Sequence, residues 1–375
     1  MQPVKIVDLF AGPGGLDVAA EKLGIPTVGV EWDAGACTTR RAAGLETVEG
    51  DVRKYGPSHF PEADVLAGGP PCQTFTVAGN GAGRKALDDV LLFVKRMVAR
   101  EDREAIAEDL AKLEDERTGL VLEPLRWALE AIDDHDRPYQ AIVLEQVPAV
   151  LPVWEAFAEA LASEGYSADC GILRTEEFGV PQTRKRAVLI ARRDENARPS
   201  LPAPTHRPYR KGVPRDSGDP TLLPWTTMSD VLDRQAPYVV ISNYGTGGDP
   251  KARGRRRSDE PSATVTGKIS RNRVVASDGS EDRFEPSEAG QLQTFPGDYP
   301  WSGRDVSQQI GNAVPPRLAI HVLSAAFDWE PPSGAVLKSL LTWGERAASL
   351  GVPEQRRGNN EADYQLVGCS TQGNA

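Results

Sequence analysis

The sequence predicts an α/β fold: a doubly wound, Rossmann-like mixed sheet with a smaller, irregular domain placed late in the chain. Three observations carry that expectation. Short, mostly apolar runs at 4–10, 27–30, 65–67 and 140–144 each lead within two residues into a Gly or Glu, as strands buried on both faces do. Helical spacing of apolar residues fills the stretches between several of them. From 192 to 260 the periodicity fades, and Pro, Gly, Arg and Ser dominate.

Residues 4–10 read as a central strand, followed by Ala11-Gly12-Pro13-Gly14-Gly15 and a helix over 16–23 that stops at Gly24. Strand, glycine turn and helix bring bare backbone and a helix N-terminus against a bound group. The spacing is not Gly-x-Gly-x-x-Gly, and no Lys-Ser/Thr follows as a phosphate loop requires. The strand at 27–30 ends at Glu31, beside Trp32 and Asp33. An acid there can accept both ribose hydroxyls, and the aromatic can stack on a purine. Val48 leads into Gly50-Asp51-Val52, a third strand end, with a carboxylate suited to an adenine amino group. Each acid could instead cap a following helix. Glycines, then Glu, then Asp at successive strand ends favour a nucleoside pocket.

Val65, Leu66 and Ala67 end a fourth strand, which Gly68-Gly69 stops and Pro70-Pro71 stiffens. Cys72 follows, beyond a strand's carboxyl end, where α/β sheets gather ligands. Most lone cysteines are packing residues. A rigid Gly-Gly-Pro-Pro-Cys-Gln loop turns the reading toward a nucleophile. Residues 79–85 read as a mobile, Gly-rich polar loop, and 86–131 as helical, with Leu91, Val94, Val98, Ile106, Leu110 and Leu113 as a packing stripe. A strand over 140–144 ends at Glu145-Gln146-Val147-Pro148, beside the Cys72 strand. Segments 166–174 and 187–191 read as an antiparallel pair. Order returns at 262–267 and 288–296. Residues 308–316 precede an apolar helix to Phe327, 336–348 read as one more helix, and a frayed tail begins near Pro353.

The net charge of −11 is unevenly spread. Residues 180–275 carry 19 Lys and Arg against 9 Asp and Glu, whereas the rest carries 24 against 45. One part of the molecule can therefore face a polyanion. No apolar run reaches membrane-spanning length, and the first residues lack a signal-peptide core. Cys37, Cys72, Cys170 and Cys369 show no paired spacing, which argues against disulfides and zinc. A cytoplasmic, metal-free enzyme is expected.

These blocks resemble the cytosine-C5 DNA methyltransferases over roughly residues 4–327, in that family's order. Asp8-Leu-Phe10-Ala-Gly12-Pro-Gly14-Gly15, with Leu16, is similar to its S-adenosylmethionine loop. Glu31, Trp32 and Asp51 match its ribose acid, stacking aromatic and adenine acid. Gly69-Pro70-Pro71-Cys72-Gln73 resembles the catalytic loop with its nucleophile. Glu145 matches the Glu of Glu-Asn-Val, and Gln182-x-Arg184-x-Arg186 the Gln-x-Arg-x-Arg block. Gly311-Asn312-Ala313-Val314-Pro315 resembles the block that folds back onto the cofactor. Gln146 departs from the usual Asn, and the helical stretch around 90–117 is longer than the family norm. The resemblance implies Cys72, Glu145, Arg184 and Arg186 as catalytic residues. It implies Phe10, Gly12, Gly14, Gly15, Leu16, Glu31, Trp32, Asp51, Val52, Pro70, Asn312, Ala313 and Val314 around the cofactor. It implies Gln73, Gln182, Arg253, Arg255, Arg256 and Arg257 on double-stranded DNA.

The chemistry then follows from cytosine, whose C5 is a poor nucleophile. Thiolate addition at C6 makes an enamine, with Glu145 protonating N3 and Arg184 offsetting charge on the O2 side. The base must leave the duplex to reach such a site. The expected division is a catalytic domain over 1–191, a recognition domain over 192–300, a returning segment over 301–350 and a tail from 351. The expected enzyme is a monomeric prokaryotic or phage modification enzyme, nucleoid-associated when bound to DNA, and a cognate restriction endonuclease is the partner it can have. The competing readings are a tRNA cytosine-C5 methyltransferase, whose characteristic Cys-Phe-Thr is missing here, and an inactive DNA-binding regulator.

Overall fold

The computed structural model describes residues 4–71, 82–113, 115, 117–194, 198–235, 237–243 and 253–344. Seven strands form one sheet: β1 (Ile6–Leu9), β2 (Thr27–Glu31), β3 (Thr47–Glu49), β4 (Val65–Gly68), β5 (Ala141–Gln146), β6 (Ser167–Arg174) and β7 (Lys185–Arg192). Their order is β3-β2-β1-β4-β5-β7-β6, parallel from β3 to β5, with β7 antiparallel to both its neighbours. The chain steps outward from β1 to β3 and returns to the other side of β1 as β4. That reversal opens a crevice beyond the strand ends, where α/β folds bind ligands.

Both faces of the sheet are covered, which explains its unbroken apolar strands. Val7, Leu9, Leu66, Ile142 and Leu144 pack with Val90 of α3 (Ala82–Val98), Trp127 of α6 (Glu123–Asp133) and Phe157 of α7 (Leu151–Ser163). Ile6, Val65, Ala67 and Val143 face Val18 of α1 (Gly15–Lys22) and Leu318 and Leu323 of α10 (Pro316–Ala326). From beside β2 and β3, α2 (Ala34–Ala42) sends the fully buried Arg40 to Asp17 of α1 at 2.7 and 2.8 Å. Asp8 lies beside that pair, and burial, reinforced by the Asp17 charge, pushes its carboxyl well above the usual range.

A second sheet of β8 (Tyr238–Ile241), β9 (Arg255–Arg257), β10 (Arg273–Ala276) and β11 (Glu281–Asp282) is antiparallel, in the order β11-β10-β8-β9. Its core of Val240, Val265 and Val274 continues into Leu292 of α8 (Pro286–Leu292) and Ile310 of α9 (Val306–Asn312). The irregular stretch over 192–260 thus contains two short strands.

The helical stretch over 86–131 is divided. Asp102 caps α4 (Arg103–Leu110) by accepting from Ala105 N at 2.8 Å, and α5 (Arg117–Leu120) intervenes before α6. Ala82–Lys85, expected in a loop, open α3, while 79–81 lie outside the described residues. The last helix, α11 (Gly334–Ser339), is shorter than the expected 336–348. The tail from 351 lies outside the described residues. Among the described residues no helix is long and apolar enough to cross a membrane.

His206 and His321 are buried on either side of Gly179 and Phe178, near Arg317. Burial, with the Arg317 charge behind it, lowers His206 to about 4 and His321 to about 3. The unfolded chain takes up protons below about 6.5 that the folded protein refuses. Their contribution is therefore complete above pH 6.5 and is lost as pH falls toward 4, by up to about 1.4 kcal/mol per pH unit for each histidine. Urea unfolding of His321→Phe should show a shallower acid limb than the parent. An acid limb of equal slope contradicts this.

Candidate active site

A cavity of about 550 Å³ lies at the crevice, beyond the carboxyl ends of β1, β2, β4 and β5. Its floor is the turn after β1. Gly14 caps α1 with φ 102°, and a Cβ there would strike Leu45 Cδ1 at 2.4 Å. At Gly15 a Cβ would lie 2.1 Å from the Val314 carbonyl oxygen, so only glycine admits the returning segment. Phe10, Gly12, Gly15 and Leu16 line the cavity, as do Asn312, Ala313 and Val314 from the far end of the chain. Gly14 stands behind the wall. Gln309 fastens the returning segment, accepting from Thr39 and donating to the Ser302 and Arg304 carbonyls at 2.7–2.9 Å.

Glu31 ends β2 with both oxygens engaged: Gly12 N and Asp33 N each donate to it at 2.7 Å. Burial raises its carboxyl pKa against those hydrogen bonds. Each oxygen keeps acceptor capacity, which suits a pair of ribose hydroxyls. Trp32 beside it is 59% exposed, an uncommon position for so large an apolar ring. Asp51 caps the turn Val52–Lys54. Burial would raise its pKa, but hydrogen bonds and charge from Arg53 outweigh that and hold it low. The volume falls in the roughly 300–1,000 Å³ range of small-molecule sites. Backbone N–H groups, two acids and an open aromatic ring fit the nucleoside of S-adenosylmethionine.

The opposite wall is charged. Glu145, near the end of β5, and Arg186, early in β7, both line the cavity and form an ion pair with Nε–Oε1 2.6 Å apart. The pair is misaligned for a hydrogen bond, so Glu145 Oε1 has no aligned donor among the described residues. Gln146 donates from Nε2 to the Pro70 carbonyl and accepts from Val147 N at 2.6 Å. Pro70 therefore serves as an anchor point of the loop rather than as cavity wall. Pro71 lines the cavity, and Cys72 and Gln73, the next residues, lie outside the described residues. Among the described residues no cluster of His, Cys, Asp or Glu is assembled for a metal.

Two residues of the Gln-x-Arg-x-Arg block lie elsewhere than expected. Gln182 has no exposed surface: it donates to Leu292 O and Gln293 Oε1 and accepts from Val265 N at 2.5–3.0 Å. Its place is a joint between the two sheets, so it is not a DNA contact. Arg184 is 2% exposed and donates to the carbonyls of Val265, Gly311 and Ala313 at 2.9–3.3 Å. Although it borders the cavity, its guanidinium ties the returning segment to the recognition side, and Arg186 is the arginine beside Glu145. Spacing alone could not assign these roles, because the carbonyls they bind come from 265, 292 and 311–313.

The four arginines expected on DNA also separate. Arg255 and Arg257 project exposed from the edge strand β9, and Arg256 points the other way. Arg257 pairs with Asp259 at 2.9 Å. Arg256 lies 4.7 Å over the Tyr209 ring and reaches Thr183 Oγ1 at 3.4 Å. Arg253 is half-buried just before the strand.

Residues 4–104 and 110–219 match the family model for the C-5 cytosine-specific DNA methylase. The type II methyltransferase M1.HphI of Haemophilus parahaemolyticus is 27% identical over 357 residues, 86% of each chain. M.PspPI of Psychrobacter sp. strain TA137 is 27% identical over 354 residues, 84% of this chain and 77% of its own. In fold, the chain is similar to the Entamoeba histolytica methyltransferase EhMeth, with TM-score 0.58, 15% identity, and 88% and 99% of the two chains covered. With a match over more than half of its length, and with the strand-end cavity described above, the chain belongs to the C-5 cytosine-specific DNA methylases, enzymes that use S-adenosylmethionine to methylate C5 of cytosine in DNA.

Proposed function

We propose that this DNA cytosine-5 methyltransferase takes its target cytosine out of the duplex and holds it between Cys72 and Glu145. The observation that supports this most is the Glu145–Arg186 pair, which opens on the same cavity as Glu31 and Trp32 and adjoins the strand end leading to Cys72. The Cys72 thiolate adds to C6, and the electron pair moves toward C5 while Glu145 delivers a proton to N3. A soft sulfur can both add and leave. Glu145 Oε1, without an aligned donor, is placed to accept from the cytosine amine, and Arg186 to donate toward O2. Bound S-adenosylmethionine supplies the electrophilic methyl group that C5 takes up. Loss of the C5 proton and departure of Cys72 restore the ring.

Residues 192–300 serve as the recognition domain in this proposal, and 1–191 with 301–350 form the catalytic body. In the same proposal the enzyme acts as a single chain in the cytoplasm. A cognate endonuclease accords with the type II names of its relatives. Arg255 is the arginine of β9 best placed for DNA. If it grips a guanine edge, Arg255→Ala should cost about 1–3 kcal/mol and relax one base position, whereas a phosphate contact weakens all sites alike and lowers the salt slope. Methylation profiles on random-sequence DNA at two salt concentrations decide between them, and a parental profile in both removes Arg255 from the interface.

Labelled cofactor offered with duplex DNA or with tRNA tests the function as a whole. Label recovered as 5-methylcytosine in DNA is expected. Label in tRNA alone supports the RNA branch, and label in neither supports a regulator.

A further inference from the structure

We infer that Tyr299 is a positioning residue for the cofactor: its hydroxyl holds the glycine turn after β1 in the shape that receives S-adenosylmethionine. The inference rests on reading the strand-end cavity as the cofactor site. The turn bends through left-handed Gly12 and Gly14, with φ 55° and 102°, and glycines leave a backbone many alternatives. Contacts from behind must therefore select one. The Ala11 carbonyl accepts from Gly14 N at 3.1 Å and lies 3.5 Å from Arg40 Nη1. The Tyr299 hydroxyl donates to the Pro13 carbonyl at 2.5 Å, across 286 residues of chain. A Cβ at Gly14 would stand 3.1 Å from that hydroxyl, tighter than side chains ordinarily pack, so glycine lets it approach.

Tyr299 is itself held in place. It is buried, and the rings of Phe295, Trp301 and Trp343 surround it with centroids 4.9, 4.9 and 5.4 Å away. Trp343 in turn donates from Nε1 to the Ala43 carbonyl at 3.1 Å, and Asp298 accepts from its backbone N at 2.6 Å. Burial pushes the phenol up, outweighing the nearby Arg40 charge, so the hydroxyl stays a donor. Packing alone would be served by phenylalanine; the hydroxyl is what the turn uses. Pro13 lines the cavity, so a carbonyl deprived of its donor can turn toward the water there, as the flanking glycines permit. Cofactor binding must then restore the turn, and that cost appears as lost affinity.

Tyr299→Phe should weaken S-adenosylhomocysteine by about three- to tenfold, the worth of one such hydrogen bond. Titration calorimetry on the full chain reads this without turnover. The KM for S-adenosylmethionine should rise by the same factor, while kcat at saturating cofactor and the affinity for DNA stay within about twofold. Trp343→Phe keeps the hydroxyl but lightens the packing around the ring. It should lower the thermal unfolding temperature and yet bind S-adenosylhomocysteine like the parent. Parental affinity in Tyr299→Phe, or an equal loss in Trp343→Phe, overturns the inference. Glu31→Ala tests the underlying assignment separately: if it binds like the parent, the cavity loses its cofactor and the inference falls with it. If Glu31→Ala weakens binding while Tyr299→Phe does not, Tyr299 alone loses its role.

Discussion

Cys72→Ser is expected to abolish methyl transfer while leaving DNA and cofactor binding in place. A serine hydroxyl is almost wholly protonated at neutral pH and lacks the polarisable sulfur that can both attack C6 and leave again. Neither Glu145 nor Arg186 can replace that step, since both act on charge that develops only as the thiolate adds. Removing a nucleophile costs enzymes of covalent mechanism on the order of 10⁴-fold or more in kcat. The proposed cofactor contacts come from Glu31, Trp32 and the Gly12–Gly15 turn, so cofactor affinity should stay within about twofold, well under the tenfold that 1.4 kcal/mol represents. Single-turnover methyl transfer and calorimetry on the same preparation check both halves. Turnover above a thousandth of the parent rate removes Cys72 from the mechanism.

Glu145→Gln should lower kcat by about 10²–10⁴, the range spanned by positioned general acids. The amide keeps the size of the side chain and can accept from the cytosine amine, but it has no proton to deliver to N3. It also leaves Arg186 without the carboxylate that lies 2.6 Å away. The KM for DNA should change much less than kcat, because the interaction lost belongs to the transition state rather than to binding. Rapid-quench methyl transfer at saturating DNA reads the chemical step directly. A mutant whose KM rises while kcat holds would make Glu145 a binding residue only.

The catalytic half of this fold was legible because its signals are local. Strand, glycine turn and helix at 4–23 became β1 and α1 within a residue or two, and Glu31, Asp51 and Glu145 stand at the ends of β2, β3 and β5 as their apolar runs implied. The antiparallel 166–174 and 187–191 pair is present as β6 and β7. The helix α9 was not legible: its seven residues, Val306 to Asn312, offer only Val306 and Ile310 as apolar residues to a window that needs several. The recognition sheet is not legible because its strands run two to four residues and pair across the sequence, as far as Tyr238 with Ala276. Side-chain roles that depend on distant carbonyls, as for Gln182 and Arg184, carry no local signature. Gln146 is the opposite case. A departure from the usual Asn still reaches the Pro70 carbonyl, because its longer side chain spans the gap between adjacent strand ends.

The central claim is that Cys72 forms a covalent bond to C6 of a DNA cytosine. Random-sequence duplex DNA with 5-fluorocytosine in place of cytosine tests it most directly, since completion requires C5 to shed a proton and fluorine cannot leave as a cation. After incubation with S-adenosylmethionine, protease digestion and mass spectrometry should find a stable nucleotide adduct on the peptide bearing Cys72, dependent on the cofactor. Efficient methylation of ordinary cytosine with no adduct on the fluorinated DNA, or an adduct on any other residue, would contradict the account.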